Sequence, residues 1–194
     1  MLPLETKGKH GITMSDKRGQ IFQEVPNDID ATWTHVTLFG GMVDGAHDDY
    51  TLAWNFKQAG DILIQHGLKV SDACDLLYPV LYSYRHAIEL FLKAIVKPAK
   101  RKHHDLARLL DQFEEKMKQN HNVEVPTWIQ NLIGEFIQYD PGSTTFRYPE
   151  QTNTAEELMI SLPDLKEKMD VLSENFHRVH LAEIEVQRRK PQNS

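Results

Sequence analysis

One polar stripe of this chain has the residue types and the spacing to bind or transform a charged ligand. The stripe lies in the segment "YSYRHAIELFLKAIV" and holds Tyr82, Arg85, His86, Glu89 and Lys93. At about 100° per residue these side chains share one helical face, opposite an apolar one. The i,i+4 spacing of Arg85 with Glu89, and of Glu89 with Lys93, predicts ion pairs. Periodicity leaves two interpretations open, a solvent-facing row of paired charges and a polar site between helices.

A second candidate follows this helix directly, where "RKHHDLARLL" places His103 and His104 at a predicted helix N-terminus. Free backbone N–H groups there attract anions, and the helix dipole favours a neutral imidazole, which can accept or pass on a proton. The alternative is that His104 caps the helix or packs under the loop. No metal site is predicted, because adjacent histidines chelate one ion poorly and neither H-x-x-x-H nor E-x-x-H spacing surrounds this pair.

The third candidate is the turn-rich segment "DPGSTTFRYPE", residues 140–150. A plain connection needs Gly and Pro, but it does not need an arginine between two aromatic residues. We therefore predict that Arg147 completes a polar site with the stripe. The predicted ligand-binding residues are Arg85, His86, Glu89, Lys93, His103, His104, Asp140, Ser143, Arg147 and Tyr148. If the site is catalytic, the candidates are His86, His104 and Arg147, and no cofactor is expected.

The charge distribution of the 194-residue chain argues against a general nucleic-acid coat protein and points to one local basic patch. The net charge is −6, yet residues 93–108 hold six basic residues and one acid, so this window carries +5 and the remainder −11. Such a patch can hold a phosphate-bearing ligand or one nucleic-acid strand. It can equally be a solvated loop that balances acids elsewhere.

Composition places the chain among ordinary soluble proteins, with 40% hydrophobic and 26% charged residues. No apolar run approaches the roughly 20 residues that span a bilayer, so no membrane contact is expected. The single cysteine, Cys74, excludes an intrachain disulfide. A cytoplasmic location is the prediction.

Apolar periodicity predicts an all-α fold, an antiparallel bundle of about five helices. The bundle occupies residues 47–190 and is preceded by an irregular N-terminal arm, residues 1–46, that shows no helical period. Before the last helix, "TTFRY" and "ELMISL" are β-prone and can pair as a short hairpin within residues 144–162.

Helix ends are predicted from capping and breaking residues. The first helix is expected to stop at Gly67, and the second to run from a cap at Ser71 to Lys97, with Pro79 as a kink or near its true start. A third helix follows His104, and a fourth carries the apolar residues Ile129, Leu132, Ile133, Phe136 and Ile137. The last helix is expected to begin near Pro163, a good first-turn residue.

Three segments in this order, "YRHAIELFLKAI", "HHDLARLL" and "DPGSTTFRYP", resemble the HEPN superfamily of bacterial helical domains. The resemblance covers roughly residues 47–188 and not the N-terminal arm. It implies an up-and-down helical bundle, often dimeric, acting in RNA cleavage, nucleotide binding, toxin–antitoxin pairs or phage defence. Catalytic HEPN domains cut RNA without metal, using an arginine followed after four to six residues by a histidine. No arginine of this chain has a histidine at that offset.

The sequence therefore leaves three hypotheses about function open. The favoured one is a HEPN-like domain that binds a nucleotide, RNA or a partner protein through the polar Arg/His site without cleavage. The alternative is a metal-independent endoribonuclease with a displaced Arg/His pair. The third is an assembly protein whose polar groups form only buried ion pairs. A homodimer is expected in each case from the resemblance.

Overall fold

The computed structural model of the chain describes residues 48–70, 75–98, 104–148 and 157–189. These ranges contain five helices, α1 (Asp49–Val70), α2 (Leu77–Val96), α3 (Leu106–His121), α4 (Thr127–Tyr139) and α5 (Leu162–Arg189). They contain no strand, so the all-α prediction is confirmed for this part of the chain. None of their helices has the length and apolar character needed to cross a bilayer. The predicted arm, residues 1–46, lies outside the described residues, as do Ser71, Cys74 and His103.

Helix α2 is the centre of the core, because it packs against α1, α3 and α5. Helix α1 also contacts α5, and α3 contacts α4. The predicted apolar face of α2 is buried at Leu81, Tyr84, Ile88, Leu92 and Ile95. A helix with neighbours on several sides buries its polar stripe as well as its apolar one. This central position decides the environment of the candidate site.

The approach of α1 to α2 depends on a glycine. A Cβ atom added to Gly60 would lie 2.4 Å from Cε1 of Tyr84, whose ring is fully buried in α2. The Tyr84 hydroxyl donates a hydrogen bond to Oδ1 of Asp61 (2.7 Å). Burial, and then the Asp61 carboxylate, raise the pKa of Tyr84 far above its ordinary value, so the hydroxyl stays a donor. Lys57 Nζ donates to the other Asp61 oxygen (2.7 Å) and to Asp170 of α5.

Several helix ends differ from the sequence prediction. Helix α1 continues past Gly67 to Val70, so the expected stop at Gly67 is wrong, and the buried Gly67 lies inside the helix. Helix α2 begins at Leu77, which places Pro79 in its first turn, where the missing N–H has no intrahelical partner to lose. Asp105 caps α3 by accepting from the Arg108 N–H (3.1 Å), so His104 is not the cap.

The last predicted helix boundary is confirmed, and the predicted hairpin is not. Helix α5 begins at Leu162, one residue before Pro163. Residues 145–147 form a turn in which the N–H of Tyr148 donates to the Thr144 carbonyl (2.9 Å). Residues 157–161 have no regular secondary structure, and residues 149–156 lie outside the described ranges. The β-prone composition of "TTFRY" is overridden by hydrogen bonds to Asp140, described below.

Candidate functional site

Arg85 is the most deeply buried member of the predicted site. Its side chain has no solvent exposure, and each of its nitrogens has a partner. Nε donates to the Asp140 carbonyl (3.0 Å), one terminal nitrogen donates to Oε2 of Glu89 (2.7 Å), and the other donates to the His104 carbonyl (2.9 Å). The solvent-facing interpretation of the stripe is therefore wrong. Arg85 instead joins α2 to the residue before the α3 cap and to the residue after α4.

Glu89 is the acceptor around which the cations gather. Its Oε1 accepts from Lys93 Nζ (2.6 Å) and contacts Nδ1 of His104 (2.9 Å), while Oε2 accepts from Arg85. Burial raises the pKa of Glu89, but the hydrogen bonds from Lys93 and Arg85 outweigh burial and hold that pKa below its ordinary value. Glu89 is accordingly an anion at neutral pH, with no exposed surface of its own.

Asp140 organises the loop that follows α4. Its Oδ1 accepts from the N–H groups of Thr144 (2.7 Å) and Thr145 (3.0 Å), which is the local hydrogen bonding that builds a turn. Its Oδ2 lies 3.3 Å from Arg85 Nε as an ion pair, but accepts no hydrogen bond in the described structure. The loop is thus fixed from its first residue, and Ser143 is held in the left-handed region at φ 60°.

These contacts define one Arg85–Glu89 network, made of Arg85, Glu89, Lys93, His104 and Asp140. The sequence predicted all five, and the structure brings them together. Four of the five are buried, whereas the His104 side chain is 56% exposed. The Nδ1 atom of His104 contacts the buried Glu89 carboxylate, while most of the imidazole side chain is open to solvent. The network therefore presents one imidazole ring at its surface.

Arg147 lies outside this network, on the exposed side of the loop. Its Nε donates to the Ser143 carbonyl (2.6 Å), which joins Ser143 to the site through its backbone. The guanidinium carbon lies 5.9 Å from the ring centroid of Tyr82 and 5.8 Å from that of Tyr148, both within cation–π range. Arg147 is thus an exposed cation held in a defined place.

His86 is connected to Arg147 through Tyr82. The His86 and Tyr82 rings are parallel, with centroids 5.9 Å apart, and the edge of His86 meets Phe56 of α1 at 4.4 Å. Burial lowers the pKa of His86, and the nearby cations Lys93 and Arg85 lower it further, against the opposing effect of Glu89. His86 is therefore neutral at pH 7.

The site includes two residues that the sequence prediction left out, Tyr82 and Phe56. Tyr82 was visible on the polar stripe, one turn before His86, but nothing in the sequence placed it beside Arg147. Phe56 belongs to α1, and only the packing of α1 on α2 brings it to His86. His103 is the one predicted site residue that lies outside the described ranges.

A second aromatic and histidine cluster lies where α1 meets α5. Tyr50 hydrogen-bonds Nδ1 of His177 and stacks on His180, with centroids 4.1 Å apart and an interplanar angle of 6°. Burial lowers the pKa of His180, against the opposing effect of Asp48. Tyr50 and His180 line a groove together with Lys93. Tyr50, His177 and His180 were not part of the predicted site.

Neither a metal-binding cluster nor a match to a known protein gives further information about the site. Among the described residues, no group of three or more His, Cys, Asp or Glu side chains is arranged to hold a metal ion. No family model, curated protein or solved structure matches the chain, so the HEPN resemblance stays a prediction.

Proposed function

We propose that this helical domain binds a phosphate-bearing ligand, a nucleotide or an RNA segment, at the exposed rim of the Arg85–Glu89 network, and does not cleave it. The observation that carries the proposal is the placement of Arg147. Its Nε is fixed to the Ser143 carbonyl and its guanidinium lies near two tyrosine rings, while its terminal nitrogens have no hydrogen-bond partner among the described residues and can contact a ligand. A guanidinium that is already ordered loses less entropy when it binds a phosphate in bidentate fashion.

The buried part of the network supports the proposal that the ligand binds at the rim. Arg85 and Lys93 already pair with Glu89, and Arg85 also donates to two backbone carbonyls, so these side chains hold the rim in place. The groups offered to a ligand are the exposed His104 and Arg147. The +5 charge of residues 93–108 would attract an anionic ligand to the domain, with an attraction that weakens as salt is added.

Arg147→Ala tests the proposal. We expect the Kd for a short single-stranded RNA to rise by about tenfold to a hundredfold, the effect of losing roughly 1.5–3 kcal/mol of charged hydrogen bonding. The free energy of unfolding should change little, because an exposed arginine contributes little to folding. Fluorescence anisotropy gives the Kd and urea denaturation gives the stability.

Arg178→Ala is the matched control, because Arg178 is 71% exposed and its one ion-pair partner among the described residues is Glu174 on α5. It should change neither quantity. If Arg147→Ala loses several kcal/mol of stability while RNA binding stays intact, Arg147 is structural and the proposal is wrong. If the wild type binds no nucleotide or RNA at any salt concentration, a partner protein or a purely structural network becomes the better account.

The second candidate function is a metal-independent endoribonuclease, and one observation favours it. His104 pairs through Nδ1 with the buried Glu89 while 56% of its side chain is exposed, and a histidine oriented by a carboxylate in this way can act as a general base. Under this alternative, wild-type protein cleaves RNA in the presence of a chelator, and His104→Gln or His86→Gln slows cleavage by about a hundredfold or more. The binding proposal expects no cleavage by the wild type.

The remaining parts of the proposal come from the sequence pattern and from the resemblance to HEPN domains. They are the antiparallel order of the helices, a homodimer, a cytoplasmic location and a role in bacterial defence or a toxin–antitoxin pair. Light scattering at tens of micromolar, an order-of-magnitude choice for an interface of ordinary size, tests the dimer. A single monomeric species there would contradict it.

A further inference from the structure

A row of stacked groups crosses the surface beside the Arg85–Glu89 network. Its members, in spatial order, are Phe56, His86, Tyr82, Arg147 and Tyr148. The inner end is half-buried between α1 and α2, where the edge of His86 meets Phe56 at 4.4 Å. The outer end is open, because Arg147 is exposed and Tyr148 retains 48% of its surface. The solvent exposure of the row therefore increases from its inner end, packed between α1 and α2, to its outer end, where the π surface is accessible.

The outer end has more aromatic surface than its own packing requires. The turn is already fixed by Asp140 and by the N–H of Tyr148 itself, neither of which needs an aromatic ring at residue 148. An exposed tyrosine near an ordered arginine offers a flat apolar face, a hydroxyl and a positive charge within one short stretch. Aromatic rings and guanidinium planes of this kind are the groups on which unpaired nucleobases stack.

We propose that Tyr82, Arg147 and Tyr148 form a stacking site for an unpaired nucleobase. This inference rests on the proposed function and names the part of the ligand that the rings recognise. The phosphate of the ligand lies with the Arg147 terminal nitrogens and His104, and its base lies on the tyrosine faces. Bases within a duplex stack on one another and do not offer their faces, so the site selects single strands or free nucleotides over duplexes.

Four probes separate the base from the phosphate. They are a labelled single-stranded RNA of about 12 nucleotides, the same strand annealed to its complement, an abasic oligonucleotide of equal length, and a mononucleotide used as competitor. We expect the single strand to bind most tightly, with the duplex and the abasic strand each weaker by about tenfold or more. Competition by the mononucleotide, added at the same total nucleotide concentration as the RNA, would make a free nucleotide the ligand, and absence of competition would make it a strand.

Paired substitutions at each tyrosine test the rings themselves. Tyr148→Phe keeps the π face and should leave the Kd for the single strand nearly unchanged, whereas Tyr148→Leu should raise it by about tenfold to a hundredfold. Tyr82→Phe and Tyr82→Leu should follow the same pattern. Residue 148 is the more decisive position, because its exposure makes both variants compatible with folding, which thermal denaturation verifies.

The outcomes distinguish the inference from the proposed function. If Arg147→Ala weakens binding but Tyr148→Leu and Tyr82→Leu do not, the domain binds phosphate and the stacking site is wrong. Equal binding of the abasic and the complete strand would also mean that no base is recognised and that the stacking site is wrong. If the wild type binds none of the four probes, the proposed function fails and the stacking site fails with it. A protein partner whose binding depends on the same tyrosines would then be the account to pursue.

Discussion

Glu89 is a buried carboxylate that holds two cations and a histidine in place. Replacing it with glutamine takes the counter-charge from the buried Lys93 and leaves Arg85 with Asp140 alone as its counter-charge among the described residues, and it puts an amide donor where donors already converge. Breaking a buried ion pair from one side typically costs about 3–5 kcal/mol. We expect Glu89→Gln to lower the free energy of unfolding by an amount of this order, as measured by urea denaturation.

Glu174→Gln is the matched control at the residue scale. Glu174 also pairs with an arginine four residues away, but both side chains are largely exposed to solvent, and such pairs contribute little. Its effect on stability should stay within about 0.5 kcal/mol. Equal effects of the two substitutions would mean that the Arg85–Glu89 network is not a buried structural unit.

Helices α1 and α2 approach each other closely at one point, and this contact gives a prediction at the scale of the element. An alanine at Gly60 would place its methyl group against the fully buried ring of Tyr84, at distances that real side chains do not tolerate. The ring cannot move freely because its hydroxyl is bonded to Asp61. We expect Gly60→Ala to destabilise the protein by about 1–3 kcal/mol, measured by thermal or chemical denaturation.

Gly134 of α4 supplies the opposite case within the same fold. A Cβ atom there meets nothing within 4 Å, and the residue lies inside a helix. Alanine is favoured over glycine by about 1 kcal/mol at such positions, so Gly134→Ala should stabilise the protein. If both alanine variants change stability in the same direction, the close approach of α1 to α2 is not as described.

The pH dependence of stability belongs to the whole molecule, because its titrating groups are spread over α2 and α5. Burial lowers the pKa of both His86 and His180 below the ordinary 6.5. Below pH 6.5 the two histidines take up protons more readily in the unfolded chain than in the folded one. The stabilisation that these neutral histidines give is therefore complete above pH 6.5 and declines as the pH falls. The pKa of Glu89 is lowered too, as is that of Glu183, a buried α5 carboxylate that accepts a hydrogen bond from Asn120. The stabilisation from these two carboxylates is complete above the ordinary 4.5 and is lost at lower pH still.

Urea midpoints measured from about pH 8 down to about pH 5 should therefore decline, with further loss under more acidic conditions. A double variant, His86→Gln with His180→Gln, has no proton to take up at these positions. It should weaken the decline of the urea midpoint between these two pH values and leave the further loss under more acidic conditions unchanged. An unchanged slope in the double variant would mean that these two histidines do not set the pH dependence.

The helices themselves were predictable because each is encoded by local spacing. Apolar residues at helical intervals marked all five, and Pro163 anticipated where α5 begins, but the predicted start of α2 at Ser71 was wrong because the helix begins at Leu77, near the alternative marked by Pro79. Local signals failed where a neighbouring element decided the outcome. Gly67 did not end α1, and "TTFRY" became a turn because Asp140 captures the N–H groups of Thr144 and Thr145.

In the candidate site, too, local spacing predicted some contacts, and tertiary packing decided the others. The i,i+4 spacing was enough to pair Arg85 with Glu89 and Glu89 with Lys93, because residues one helical turn apart are neighbours in any α-helix. Whether that stripe faces water or protein is not encoded in its spacing. It depends on α2 having α1, α3 and α5 around it, and on Asp140 and His104 arriving from segments 55 and 19 residues away from Arg85. The contact of Tyr82 with Arg147 likewise exists only after the loop following α4 is folded onto α2, since a contact between distant segments is decided by packing and not by local periodicity.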